Sequence, residues 1–285
     1  MTGIVDVGGG MRGVFSAGIY DRFLEEGINF DLCVGVSAGS ANLASYIAGN
    51  HGRVRRFYVK YPMRREYMSV NNLMHGDAFL NLDYIYTTLS NVGGEDPIDF
   101  AAFDANPSDY IAVATNSVTG EPTYFGKDSI KLNDLTVLKA SCCLPAVCKP
   151  ITIDNINYFD GGISDPIPFQ KAFDMGCDKV IVVISKPVDF RKSPQKHMPI
   201  IKAALKKYPK VFDRLAVRHE VYNRQLEEAI KLQEQGKVII LAPRDCYGVN
   251  TLTREPAALE KLYEEGRRCA DEHLSEIKAP GEKTA

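Results

Sequence analysis

The 285 residues are 45% hydrophobic and 25% charged, the balance of a globular chain with enough length for a sizeable core. A net charge of −2 offers no basic field to gather nucleic acid, so no nucleic-acid partner is expected. Seven cysteines without CxxC or Cys/His spacing point away from a disulfide framework and a zinc site, and toward reduced thiols in the cytoplasm.

No basic leader with an apolar core opens the chain, and no apolar run reaches the ~18 residues a bilayer span needs, so neither a secretory signal nor a transmembrane segment is expected. Gly3–Val7 (GIVDV) reads as a strand. It runs into Gly8-Gly9-Gly10-Met11-Arg12-Gly13 and then a helix in which Val14, Ala17, Ile19, Phe23 and Leu24 fall near helical spacing, with Gly27 as its stop. Leu32–Ser40 (LCVGVSAGS) is a short apolar strand turning sharply at Gly35–Gly39, and ANLASYIAG continues it with helical spacing. G-x-S-x-G between a strand and a helix is a nucleophile elbow: the glycines permit the turn and keep space above the Ser37 oxygen. Ser37 then sits at a helix N-terminus, where free N–H groups favour developing negative charge. On the pentapeptide alone, an ordinary turn containing serine is the competing reading.

Strand, helix and strand at this spacing imply a parallel, right-handed βαβ unit, with ligands at the carboxyl ends of its strands. The glycine loop also fits G-x-G-x-x-G, which raises a dinucleotide site. That site wants an acidic residue at the end of the second strand; the end here reads GVSAGS, and Asp31 lies at the other end. A cradle of backbone N–H groups for an oxyanion fits better, with Arg12 either adding charge there or simply starting a helix.

His51–Met74 interleaves six basic residues with aromatic ones and reads as a helix with a solvated basic face and an aromatic core face, or as a surface for anionic lipid head groups. Leu80–Leu89 reads as a short helix and Asn91–Pro107 as loop. Tyr110–Thr115 is a buried strand with Pro122–Phe125 as its hairpin partner. Ser129–Ser141 reads as a capped helix, and the prolines of CCLPAVCKP hold the next piece as loop or edge. ITIDNINYFDGG forms two short strands joined at Asp154-Asn155 and ends in Asp160-Gly161-Gly162. Beyond it come a helix at Pro166–Met175, an apolar strand at Lys179–Ser185, helices at Pro199–Lys207 and Val211–Gln235, a strand at Val238–Ala242 and a helix at Pro256–Leu274.

An Asp entering a glycine turn ordinarily caps its own backbone. Ser37, however, lacks an obvious partner, and a serine hydroxyl needs a base within hydrogen-bond reach. Two schemes compete. In a Ser-His-Asp triad of α/β-hydrolase type, Asp160 orients His197, His219 or His273. Against this, Ser37 follows only the second strand, and none of these histidines sits at a strand end or glycine turn. In the other scheme Asp160 takes the Ser37 proton itself.

The motifs together resemble those of bacterial patatin-like phospholipases. Gly8-Gly9-Gly10-Met11-Arg12-Gly13 matches G-G-G-x-R-G, Gly35–Gly39 matches G-x-S-x-G, and Asp160-Gly161-Gly162 matches D-G-G. The block from Ala140 to Pro145 and the SDPIP after the D-G-G also fit, in family order over about residues 3–185. The resemblance implies an α/β, three-layer α/β/α, Rossmann-like fold with a mainly parallel sheet. It implies Ser37 as nucleophile and Asp160 as base, supported in their motifs by Gly35, Gly39, Gly161 and Gly162. It places the oxyanion hole in the Gly8–Gly13 loop, through the N–H groups of Gly9, Gly10 and Met11, with Arg12 supporting the loop. The substrate implied is an acyl lipid or phospholipid, met at a membrane surface in transient contact, with no metal and no cofactor. A non-catalytic lipid-binding or regulatory protein on the same fold is the alternative. The chain is read as one hydrolase domain: a core over about 3–185, a helical extension with one added strand over about 195–275, and a frayed tail from 276 to 285. No motif speaks to oligomeric state, and the expected location is the cytoplasm, peripheral to membrane.

Overall fold

The computed structural model describes residues 1–69, 78–145 and 147–279. In chain order its main elements are β1 (Thr2–Asp6), α1 (Val14–Glu25), β2 (Leu32–Val36), α2 (Ala38–Ile47), α3 (Arg53–Val59), α4 (Phe100–Ala105), β3 (Asp109–Asn116), β4 (Pro122–Gly126), α5 (Thr136–Ser141), β5 (Ile151–Ile153), β6 (Ile156–Asp160), α6 (Phe169–Asp174), β7 (Lys179–Val183), α7 (Met198–Ala204), α8 (Pro209–Glu234), β8 (Val238–Leu241) and α9 (Pro256–Lys278). The strands form one mixed sheet in the order β5-β6-β3-β2-β1-β7-β8, with β4 also paired to β3. The five central strands are parallel, and β4, β5 and β6 add antiparallel pairings at the β3 end.

Alternation along the central strands sorts their side chains into two cores. Ile4, Cys33, Ala112, Ile181 and Ile239 face one side, where helices α1, α2, α3 and α9 cover them. Val5, Val34, Val113, Val182 and Ile240 face the other, under α6 and α8. Strands buried on both faces must be apolar throughout, which is why LCVGV and KVIVV lack a polar alternation. The result is the expected three-layer α/β/α fold with a mainly parallel sheet, and a C-terminal segment that is helical apart from β8.

Several expected boundaries differ. The 91–107 stretch is not all loop: Asp99 accepts a hydrogen bond from the Ala102 N–H (3.0 Å) and caps α4. Only the last six residues of Ser129–Ser141 are α-helical, because Asn133 takes φ 61° in a turn pairing Lys131 with Asp134. The Leu80–Leu89 helix narrows to a π-helical turn over Tyr84–Leu89. The expected tail is shorter, since α9 continues to Lys278, whose ammonium reaches Glu26 (2.7 Å). The remainder of the tail, from 280, lies outside the described residues.

Most of the basic side chains of His51–Met74 are paired within the fold. Arg55 pairs with Glu260, Arg56 with Asp96, and Lys60 and Arg64 with Glu95. Arg53 is only 5% exposed and hydrogen-bonds Ser45, Ser90 and the Asp96 carbonyl. Phe57, Tyr58, Tyr61 and Tyr67 are buried, as the core-face reading requires. Residues 70–74 of that stretch lie outside the described residues. Among the described residues no helix is long and apolar enough to cross a membrane.

Candidate active site

The sheet order reverses at β1, with β2 on one side and β7 on the other, so the ends of these three strands border one crevice. Each strand delivers one wall of the site. From β1 comes the glycine loop, from β2 the Ser37 turn, and from β7 the segment beginning Ile184-Ser185-Lys186.

Ser37 is half-buried and holds φ 56°, ψ −135°, in a region L-residues seldom occupy. Its N–H donates to Ser141 Oγ (3.0 Å), and Ser141 Oγ donates to the Val113 carbonyl (2.7 Å). The Ser37 carbonyl accepts from both the N–H and the hydroxyl of Ser40. The turn is therefore clamped from both sides. Gly39 is required for close approach: a Cβ there would lie 2.3 Å from the Asp6 carbonyl oxygen. Gly35, on β2, packs against Ser40.

Asp160 reaches Ser37 by an arrangement of strands rather than by sequence proximity. β2 pairs with β3 as far as Val36 opposite Val113. β6 pairs with β3 from Asp160 opposite Ala114 to Tyr158 opposite Asn116. Since β4 takes the other edge of β3 over Ile111–Thr115, β2 and β6 share one edge and meet end to end. Asp160 closes β6 one ladder position beyond Val36. A Cβ on Gly161 would sit 2.1 Å from the Val113 oxygen, so only glycine lets the chain pass there. Gly162, the next residue, donates its N–H to Asp160 Oδ1 (2.8 Å).

The Asp160 side chain is buried, and among the described residues its Oδ2 has no hydrogen-bond partner. Burial pushes its pKa up; the Arg218 cation, the Ser37 hydroxyl and the Gly162 N–H act in the opposite direction. The Ser37 hydroxyl thus lies near enough to weigh on the carboxyl group, without a hydrogen bond of normal geometry; such contacts commonly tighten only with substrate. None of His197, His219 and His273 lines either pocket beside Ser37. His197 is exposed, His273 bonds the Cys269 carbonyl, and His219 is not the simple surface residue its charged helix suggests, with a side chain only 18% exposed.

The glycine loop is braced from beneath by Asp6, at the end of β1. Its Oδ1 accepts from the Gly8 N–H (2.8 Å) and its Oδ2 from Tyr20 (2.9 Å), while Asn42 spans Asp6 and the Gly13 carbonyl. Among the described residues the N–H groups of Gly9 and Gly10 donate to no other group. Met11 differs from expectation: its N–H is spent on the Thr251 carbonyl (3.1 Å) and is not available to a bound oxyanion. Arg12 is held to the same residue, with Nη1 donating to Thr251 Oγ1 (3.3 Å), and lines the pocket beside Ser37.

Ser37 stands where two pockets meet. One, of about 740 Å³, is apolar and runs between α2 and α3, past Ala41, Val54, Phe57, Tyr58 and Ile85. The other, of about 790 Å³, is polar and includes Asp160 with Arg12, Lys186, Lys192 and Arg218. Sequence reasoning missed Ser141 as a clamp, Asp6 as a brace, and the contributions of Lys192, Arg218 and Thr251. Ser141 was within reach through its Ala-Ser motif block. The C-terminal residues carried no motif, and a charged helix does not reveal which arginine turns inward. Among the described residues no group of three His, Cys, Asp or Glu side chains is arranged to hold a metal ion.

Comparison with known proteins matches residues 7–173 to the family described as patatin-like phospholipase, and residues 208–279 to a domain of unknown function (DUF6363). The uncharacterized protein YjjU of Escherichia coli (strain K12) is 30% identical over 282 residues, covering 96% of this chain and 77% of that protein. The uncharacterized NTE family protein Rv1063c of Mycobacterium tuberculosis (strain ATCC 25618 / H37Rv) is 24% identical over 175 residues, 61% of this chain and 46% of its own. The crystal structure of VipD from Legionella pneumophila overlays with a TM-score of 0.48 at 15% identity, covering 96% of this chain and 66% of that one. The extent of the family match and the similarity to YjjU over 96% of this chain lead to one conclusion: the chain belongs to the patatin-like phospholipase family of lipid hydrolases.

Proposed function

We propose that the protein hydrolyses carboxylic esters of acyl lipids through a Ser37–Asp160 dyad. Ser37 Oγ attacks the ester carbonyl while Asp160 accepts its proton, forming the new C–O bond and a tetrahedral oxyanion. The free N–H groups of Gly9 and Gly10 stabilise that oxyanion, and Met11 contributes by holding the loop to Thr251 rather than by donating. Collapse breaks the bond to the leaving alcohol, which takes the proton from Asp160. Water then attacks the acyl-Ser37, giving a proton to Asp160, which returns it to Ser37 as the fatty acid leaves. The apolar pocket takes the acyl chain.

The observation that carries this reading is the end-to-end meeting of β2 and β6 on one edge of β3, which sets a buried carboxylate with an unpartnered oxygen beside a strained serine. The whole chain acts as one hydrolase unit, because residues 209–278 supply a sheet strand and part of the site wall. Contact with a lipid surface is transient and the protein works in the cytoplasm. Hydrolysis of p-nitrophenyl esters tests the scheme. Ser37→Ala and Asp160→Asn each abolish turnover, whereas His197→Ala, His219→Ala and His273→Ala retain it. Total loss in a folded histidine variant would favour the triad instead.

A further inference from the structure

The polar pocket beside Ser37 collects four cations from three parts of the chain. Arg12 comes from the glycine loop, Lys186 and Lys192 from the segment after β7, and Arg218 from α8. Among the residues that line this pocket Asp160 is the only carboxylate. Among the described residues, Arg12 and Arg218 contact neutral oxygens, on Thr251 and Gly162, and the Arg12 Nε has no partner at all. The Lys192 ammonium lies over the Tyr222 ring (4.6 Å to the centroid) and the Lys186 ammonium over Phe190 (5.0 Å). None of the four makes an ion pair among the described residues, although cations elsewhere on this chain are matched to Asp and Glu.

The cluster is built, not incidental. Asn223 on α8 grips the backbone of Lys192 twice, its Oδ1 accepting from the Lys192 N–H (2.8 Å) and its Nδ2 donating to the Lys192 carbonyl (3.0 Å). Arg218, one turn earlier on α8, donates through Nε to the Gly162 carbonyl, next to Asp160. Burial, together with the neighbouring Arg218 and Arg12 charges, lowers the Lys192 pKa to about 7. Burial depresses Arg12 and Arg218 as well. Four positive charges gathered around one carboxylate, that of Asp160, leave an excess of positive charge that an anion with several acceptor oxygens relieves.

We propose that this pocket binds the phosphate of a phosphate-bearing acyl ester and so selects acyl glycerophosphates over neutral acylglycerols. The assignment rests on the hydrolase reading above and extends it. The apolar and cationic pockets share Ser37, Gly10, Leu144 and Thr251, so an ester at Ser37 has its acyl chain on one side and its head group on the other. It also gives the segment of unknown function a task, because Arg218 and the Asn223 grip on Lys192 both come from α8.

The test has a binding arm and a turnover arm. In the first, Ser37→Ala protein is titrated calorimetrically with sn-glycerol 3-phosphate, inorganic phosphate and glycerol. Glycerol 3-phosphate binds and glycerol does not, and Lys192→Gln weakens that binding about tenfold, the size expected for one charge-assisted hydrogen bond. In the second, kcat/KM is compared for 1-hexanoyl-glycerol 3-phosphate and 1-hexanoylglycerol. The wild type prefers the phosphate ester at least tenfold, and the preference falls in Lys192→Gln while Lys192→Arg restores it. Lys186→Gln, farther from the core, lowers the same ratio and serves where Lys192→Gln fails to fold. Equal kcat/KM for both esters overturns the proposal. So does binding of inorganic phosphate without discrimination between the two lipids, which marks a free-anion site. If wild type cleaves neither ester but Ser37→Ala protein still binds glycerol 3-phosphate, the hydrolase reading fails and the anion pocket stands.

Discussion

A comparison of Ser37→Gly with Ser37→Ala measures what the elbow costs the fold. Ser37 sits at φ 56°, ψ −135°, and its side chain makes no capping hydrogen bond to α2. Both variants lose the hydroxyl, so their difference isolates the backbone. A non-glycine residue in such a region costs about 1–3 kcal/mol, which Ala retains and Gly relieves. Glycine gives back about 0.5–1 kcal/mol through the greater freedom of the unfolded chain. At the middle of both ranges Ser37→Gly is the more stable by about 1 kcal/mol, or roughly 2–4 °C in Tm for a chain of this size. Urea unfolding with equal m-values is the assay, and hydrolysis is absent from both variants. An Ala variant as stable as the Gly variant would refute the claim that the turn is held under strain by its surroundings.

Other consequences follow from the same geometry. Ser141→Ala leaves the Ser37 N–H and the Val113 carbonyl without their shared partner, and is expected to cost about 2–4 kcal/mol in urea unfolding and to lower kcat. Because burial raises the Asp160 pKa and the base must be ionised, hydrolysis switches on as pH rises through a limb above the ordinary Asp value of 3.8. Arg218→Gln removes a cation that favours the carboxylate, so a pH–rate profile shows that limb moving to higher pH, and a downward or absent shift contradicts the assignment. Ala41→Phe intrudes on the apolar pocket one turn beyond Ser37, and kcat/KM across a p-nitrophenyl ester series falls for long chains relative to acetate and butyrate.

Much of the fold was readable because its strands are short apolar runs buried on both faces, and a run such as VIILA admits few alternatives. Ser37 and Asp160 were readable because the tight turns around them require glycine neighbours, which leave local marks. What joins them was not. β6 runs antiparallel into the end of β2, and no local pattern encodes which edge of β3 a hairpin will occupy. Helix α4 was missed although Asp99 provides a cap signal, because the surrounding Gly, Asp and Pro outweigh six residues of FAAFDA. The N–H groups of the glycine loop left free were overcounted for a related reason: the Met11 N–H is taken by Thr251, which is remote in sequence and comes from the loop after β8. Arg218 was hidden in a helix whose charges are mostly solvated, so the inward-facing one carries no mark of its own.

The central claim, that Ser37 is the nucleophile and Asp160 its base, is tested most directly by fluorophosphonate labelling followed by peptide mass spectrometry. The account predicts a single adduct on Ser37 in wild type and in His219→Ala, and labelling slowed at least a hundredfold in folded Asp160→Asn. An adduct on another residue, or wild-type labelling kinetics in Asp160→Asn, would contradict it.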